Sequence, residues 1–161
     1  MIKLKKYKYI ILNLSISLGI GALSAIFTMN AMDVYQTVNL PKCSPPGYLF
    51  PIVWTFLYIL IGLASYLIHR SNSKNKETAL IIYYFQLLIN FAWPIAFFNY
   101  QSFLLALAIL ITLCILVAIL IKLFYQIRPL AAFLLLPYMG WILFALYLNF
   151  WIFVNLSLIH I

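Results

Sequence analysis

The chain has 161 residues, 67% of them hydrophobic and only 7% charged, with a mean hydropathy of +1.10, so it lacks the polar surface that a water-soluble globule requires. The formal charge of +8 would point to nucleic acid in a soluble protein, but the few Lys and Arg sit at the ends of hydrophobic runs, where membrane topology explains them and no nucleic-acid partner is expected. From Thr78 to Ile121 there are 44 residues without one Asp, Glu, Lys, Arg or His, enough for two crossings at about 20 residues each.

The first span is expected from about Tyr9 to Thr28, and Asn13, Ser15, Ser17 and two glycines make it the least hydrophobic of the set. Its basic start and the small residues around Ala22 to Ala25 also describe a secretory signal peptide, whose cleavage would leave four spans; a retained span is the reading adopted here. The connection from Asn30 to Gly47 holds Asp33, Tyr35, Pro41, Pro45 and Pro46, and its prolines predict an ordered cap rather than a tether. The second span covers about Tyr48 to Ile68 and is followed by a basic, solvated loop from His69 to Thr78. The third covers about Ala79 to Phe98, and Asn99 to Ser102 make a tight turn. The fourth runs from about Phe103 to Phe124. Pro129 then opens a fifth helix, where its missing N–H costs nothing, and that helix continues to about Phe153.

These elements predict an all-α integral membrane bundle of five transmembrane helices forming a single domain over 1–161. With a cytoplasmic N-terminus, Lys3, Lys5, Lys6, Lys8, Arg70, Lys74, Lys76, Lys122 and Arg128 fall inside and only Lys42 outside. The positive-inside rule favours that orientation and places the C-terminus outside. Cys43 in the first external loop and Cys114 deep in a span are expected to remain unpaired.

No ionisable side chain lies between the span ends, which disfavours a carrier that works through buried Asp, Glu or His. His69 and His160 lie on opposite sides, as do Asp33 and Glu77, so neither a metal site nor a nucleophile, base and acid can be assembled, and no catalytic residue of that kind is expected. What remains is aromatic and amide side chains at helical spacing. Trp54, Tyr58 and Ser65 share one face of span two, and Gln86, Asn90, Trp93 and Phe97 one face of span three. Tyr138, Trp141, Ala145 and Asn149 do the same on span five. At 1.5 Å per residue, Trp54, Asn90 and Trp141 lie roughly 9, 12 and 15 Å below the outer surface. Such faces suit a flat, mostly apolar ligand, although tryptophan also anchors helices at the interface and amides also join neighbouring helices. Pro94 and Pro137 free the carbonyls of Asn90 and Phe133 and predict kinks. Ala92 and Ala96 have the spacing of a helix-packing motif, serving either a homodimer or close packing within one copy.

The stretch YQTVNLPKCSPPGYLFPIVWTFLY resembles the TspO/MBR family, with its tyrosine, its Pro-Pro loop and its Val-Trp and Leu-Tyr pairs. QLLINFAWPIAFF and RPLAAFLLLPYMGWILFALYLNFW are similar to the family's third-span and fifth-span signatures, so the likeness runs from about residue 15 to 155. The resemblance implies a five-helix bundle that binds porphyrins such as protoporphyrin or haem, with sterols and synthetic ligands bound by some members. It implies ligand contacts at Tyr35, Trp54, Asn90, Trp141 and Ala145, with Pro45 and Pro46 shaping the cover. Tyr58, Trp93 and Tyr138 join this set from the helical faces. Some members promote light-dependent porphyrin breakdown, a role that would fall on Trp54 and Trp141, and transport is a further expectation. No cofactor is required, and the absence of a pocket histidine favours metal-free porphyrin. Val34, Leu40 and Cys43 depart from the family's usual residues and make the cap less aromatic and less basic. The loose sterol patterns at Leu63, Tyr66, Arg70 and at Leu123, Tyr125, Arg128 lie away from the family's position for that motif, so a sterol is the weaker expectation. The expected location is the bacterial cytoplasmic membrane.

Overall fold

A computed structural model describes residues 2–29, 33–38 and 40–159; the side chains of residues 2–6, 34, 36 and 156–159 lie outside that description. The expectations for Asn30, Val34 and His160, and for the side chains of Lys3, Lys5 and Lys6, therefore fall outside the described residues. Six α-helices follow in order: α1 (Ile2–Thr28), the short α2 (Val34–Thr37), α3 (Leu49–His69), α4 (Lys76–Pro94), α5 (Phe103–Ile127) and α6 (Pro129–Ile159). All but α2 contain a segment long and apolar enough to cross a membrane, which gives the five expected spans. Their alternation brings Lys8, Arg70, Lys74, Lys76 and Arg128 to one end of the bundle and Lys42 to the other.

Proline marks two helix boundaries as its chemistry requires. Pro129 is the first residue of α6, where its missing N–H is no loss. Pro94 cannot bond the carbonyl of Asn90, and the chain continues from it as one π-helical turn, Ile95–Asn99, rather than as a simple kink. The turn that follows is closed by Tyr100 N–H on the Ile95 carbonyl at 3.1 Å and Ser102 N–H on the Ala96 carbonyl at 3.0 Å. Gln101 takes a left-handed φ of 49° to make it. Pro137, by contrast, is absorbed within an unbroken α6.

The helices form a ring in the order α1, α3, α6, α5, α4, and the ring closes where α4 returns to α1 along its loosest seam. The third span, not the first, has the lowest mean hydropathy, because it carries the buried amides Gln86 and Asn90. Helix α1 has its own reversal. Its buried residues among those described are all polar, Asn13, Ser17, Ser24 and Thr28, while Leu12, Leu23, Ile26 and Phe27 face outward. In lipid the apolar residues gain nothing by turning inward, so small and polar residues take the helix contact instead. Ser65 Oγ donates to Asn13 Oδ1 at 2.7 Å across α1 and α3, and Asn13 Nδ2 bonds its own helix at the Tyr9 carbonyl, 2.8 Å away.

Gly62 makes that contact possible. A Cβ there would stand 2.5 Å from Ser17 Oγ and 3.1 Å from the Asn13 carbonyl oxygen. Of the Ala92 and Ala96 pair, Ala96 is buried inside the chain and Ala92 is half-buried. Cys43 is exposed, Cys114 is half-buried, and both are unbridged.

Gly62→Ala is expected to lower the melting temperature in detergent by about 3–10 °C, because the added carbon would displace Ser17 Oγ from its bonds to the Asn13 and Leu14 carbonyls and press on the α1 backbone. Gly140→Ala, where a Cβ meets nothing within 4 Å, is the control and should leave the melt unchanged or raise it slightly. Equal losses in both variants would show that Gly62 is not a close-approach site.

Candidate functional site: a cavity under an aromatic cap

Residues three, four and seven apart on α4 place Gln86, Asn90 and Trp93 on one buried face, as their spacing predicts, and Phe97, in the π-helical turn, is buried as well. That face meets α3 and α6 through a directed chain of hydrogen bonds. Tyr58 Oη donates to Asn90 Oδ1 at 2.6 Å, Asn90 Nδ2 donates to Tyr138 Oη at 2.8 Å, and Tyr138 Oη donates to Gln86 Oε1 at 2.8 Å. The neutral phenols and amides thus satisfy one another without a charge, as an interior bounded by lipid requires. Gln86 Nε2, at the inner end of the chain, has no partner.

Above this polar layer stand the aromatic rings. The Trp54 ring lies 5.5 Å from Tyr58, 6.2 Å from Tyr138 and 6.3 Å from Trp93 between centroids. Trp93 is in turn 5.7 Å from Phe97 and 6.3 Å from Phe98. Trp54 and Trp93 are inclined at 34°, so their rings already face one another too closely to admit a third between them. A planar guest must lie along this wall.

Opposite the wall, α1 presents Gly21, Ser24, Ala25 and Thr28. Gly21 is required here, because a Cβ would come within 2.5 Å of two carbons of the Tyr58 ring. Between the two walls lies a cleft of about 560 Å³ of empty space, counted out to its open mouth, with Asn90 and Tyr58 as polar groups of the aromatic wall and Ser24 and Thr28 of the other. A second, smaller cavity, about 280 Å³ of empty space counted out to its open mouth, lies toward α6, lined by Tyr35, Phe97, Ala145, Leu148 and Asn149 among others. Phe50, Trp93 and Phe98 belong to the lining of both.

The external loop covers this region. Tyr35, on α2, is 6% exposed and donates to the Pro45 carbonyl at 2.9 Å, while its ring meets Phe50 edge-on at 5.0 Å. Burial raises the Tyr35 phenol above its ordinary pKa, so the hydroxyl keeps its proton and remains a donor. Pro41 and Pro46 lend their carbonyls to the Ser44 and Leu49 N–H groups, each at 3.0 Å, which fixes the turns into α3. Among the described residues of the cap, 40–47 are held by these turns. Leu40 packs against the core and Cys43 faces out.

The expected site residues are thus distributed. Trp54, Tyr58, Asn90 and Trp93 line the larger cavity, and Tyr35, Trp93 and Ala145 the smaller. Tyr138 is fully buried behind Asn90, and Trp141 stands behind Phe50 at 5.7 Å, outside the lining of both cavities. Pro45 acts through its carbonyl, and Pro46 is exposed at the turn. Sequence reasoning missed Phe50, Phe98 and the small residues of α1. The three- and four-residue spacing of Gly21, Ser24, Ala25 and Thr28 carried that signal, but the same residues also suit a signal peptide. Phe50 offered none.

Asn90→Leu keeps the side chain's size but strands the Tyr58 hydroxyl and removes the donor to Tyr138. It should lower the melting temperature by about 5–10 °C, as read by tryptophan fluorescence in detergent. A melt unchanged from that of the unmodified chain would mean that the Tyr58–Asn90–Tyr138 bonds contribute no stability.

Known proteins resemble this chain over most of its length. The profile of the TspO/MBR family matches residues 13–154. A tryptophan-rich protein TspO of Archaeoglobus fulgidus is 40% identical over 134 residues, covering 83% of this chain and 87% of its own. The tryptophan-rich sensory protein of Cereibacter sphaeroides is 34% identical over 116 residues, 72% of each chain. The human translocator protein is 34% identical over 119 residues, 72% of this chain and 70% of its own. A match over most of the chain, on a ring of five apolar helices, makes this protein a member of the TspO/MBR family.

Proposed function

We propose that this membrane protein is a receptor or sensor that holds a flat, largely apolar ligand of the tetrapyrrole class in the larger cavity, under the loop cap. The observation that carries the reading is the pairing of two unlike walls: Trp54, Trp93, Phe50 and Phe98 on one side and the small residues of α1 on the other. Aromatic faces supply dispersion and stacking over a wide area, and a wall of small residues leaves room for a planar guest to lie against them. Tyr58 and Asn90 are the polar groups that would fix its orientation. No histidine belongs to the lining of either cavity, so metal-free protoporphyrin suits the pocket better than haem held by an axial imidazole.

The photochemical alternative draws on one observation. Trp54 lines the cavity and is within about one ring's breadth of Tyr58, Tyr138 and Trp93, so an electron removed from it by an excited guest has neighbours to draw on. Trp141 is one ring further away, behind Phe50. The receptor reading needs no such step. A ligand long enough to reach Ala145 as well must turn Phe50 aside, since that ring is part of both linings. The location proposed is the bacterial cytoplasmic membrane, with the cap facing outward.

Titration of the detergent-solubilised protein with protoporphyrin in the dark, followed by tryptophan quenching, is expected to saturate. Trp54→Ala and Trp93→Ala should each weaken binding at least about tenfold, the loss of one stacked aromatic contact. Trp141→Ala should weaken it less. Unchanged affinity in the Trp54 and Trp93 variants would sink the site, whereas the largest loss in Trp141→Ala would move it to the second cavity.

A further inference from the structure

The hydrogen-bond chain beside the cavity has a property that its individual bonds do not. Each hydroxyl in it has one hydrogen and two lone pairs, and each amide presents a donor and an acceptor of nearly the same size. A half-turn of the Asn90 and Gln86 amides, which exchanges each oxygen with its nitrogen, therefore reverses every bond while the side chains keep their places. In the arrangement observed, the sequence of donation runs from Tyr58 to Asn90 to Tyr138 to Gln86. In the reversed one, Gln86 Nε2 donates to Tyr138, Tyr138 to Asn90 Oδ1, and Asn90 Nδ2 to Tyr58. Both contain three bonds.

They differ in where the unpaired donor lies. In the observed polarity it is Gln86 Nε2, on a residue with no exposed surface and no partner for that nitrogen. In the reversed polarity it is the hydroxyl of Tyr58, a residue of the cavity lining. An orphan donor buried among apolar helices is costly, but one at the cavity wall can be satisfied by a guest.

We propose that ligand chemistry selects the polarity of this chain: a ligand carbonyl or other acceptor at Tyr58 accepts a hydrogen bond from its hydroxyl, reverses all three bonds and gives Gln86 Nε2 a partner at Tyr138. This rests on the cavity reading above and adds a preference for acceptor-bearing guests. It makes Gln86 a positioning residue for specificity, although it lines neither cavity. No covalent bond changes and no net charge moves.

The test compares two porphyrins of similar shape, protoporphyrin dimethyl ester, which carries carbonyl acceptors on its side chains, and etioporphyrin, which carries only alkyl groups. The quantity read is the ratio of their affinities. In Gln86→Met, Tyr138 loses Gln86 as acceptor and must donate to Asn90, which locks the Tyr58 hydrogen toward the cavity. The ratio in favour of the ester should then rise by about two- to tenfold. Adding Tyr58→Phe should abolish that gain. In the unmodified protein, labelled with nitrogen-15 at glutamine, the Gln86 side-chain amide protons should move to lower field with the ester and not with etioporphyrin, a readout that holds even if the variant folds poorly. A ratio unchanged or lowered in Gln86→Met, or an amide signal indifferent to the ester, would overturn the proposal while leaving the cavity intact. Binding of neither porphyrin to the unmodified chain would overturn the cavity reading and this proposal with it.

Discussion

A backbone or side-chain polar group inside a bilayer finds no water, so it must be paired within the protein or left at a cost. The rest of this bundle is arranged around that constraint. Asn13 and Ser65 join α1 to α3, and the chain from Tyr58 to Gln86 joins α3, α4 and α6, with no charged group in any of these contacts. With its amide turned to satisfy both of its groups, Asn149 does the same between α6 and the first turn of α5. Each helix of the ring is thus tied to a neighbour by a directional contact, and the aromatic rings fill the space those contacts leave.

The five spans, the proline start of α6 and the buried face of α4 were legible in the sequence, because each depends on one local property: length of an apolar run, a missing N–H, or a period of 3.6. The cap was legible for the same reason, since prolines restrict the backbone wherever they occur. The site was legible only in part. Trp54, Tyr58, Asn90 and Trp93 came together because helical spacing already placed them on inward faces. Trp141 shares such a face and still lies behind Phe50, since its depth along α6 sets it beside a residue whose position depends on the turn at Gly47.

The contribution of α1 was the hardest to read. Judged by the habit of soluble proteins, its leucines and phenylalanines would be the packing face and its serines the solvent face. Lipid inverts that expectation, and the wall opposite the tryptophans proves to be the small, polar stripe. The π-helical turn after Pro94 was also beyond sequence reasoning: a proline announces that a bond will be lost, but the surrounding packing decides whether the helix bends, ends or widens.

The loose seam between α4 and α1 borders the larger cavity, and it bears on supply. A porphyrin-like guest dissolves in lipid far more readily than in water, by about 0.8 kcal/mol for each methylene transferred. Under the proposed reading, a guest reaching the cavity through this seam would draw on the bilayer as its reservoir. The protein would then sample the mole fraction of guest among the lipids around it, and the same quantity of ligand would fill the cavity less as the membrane area sharing it expands.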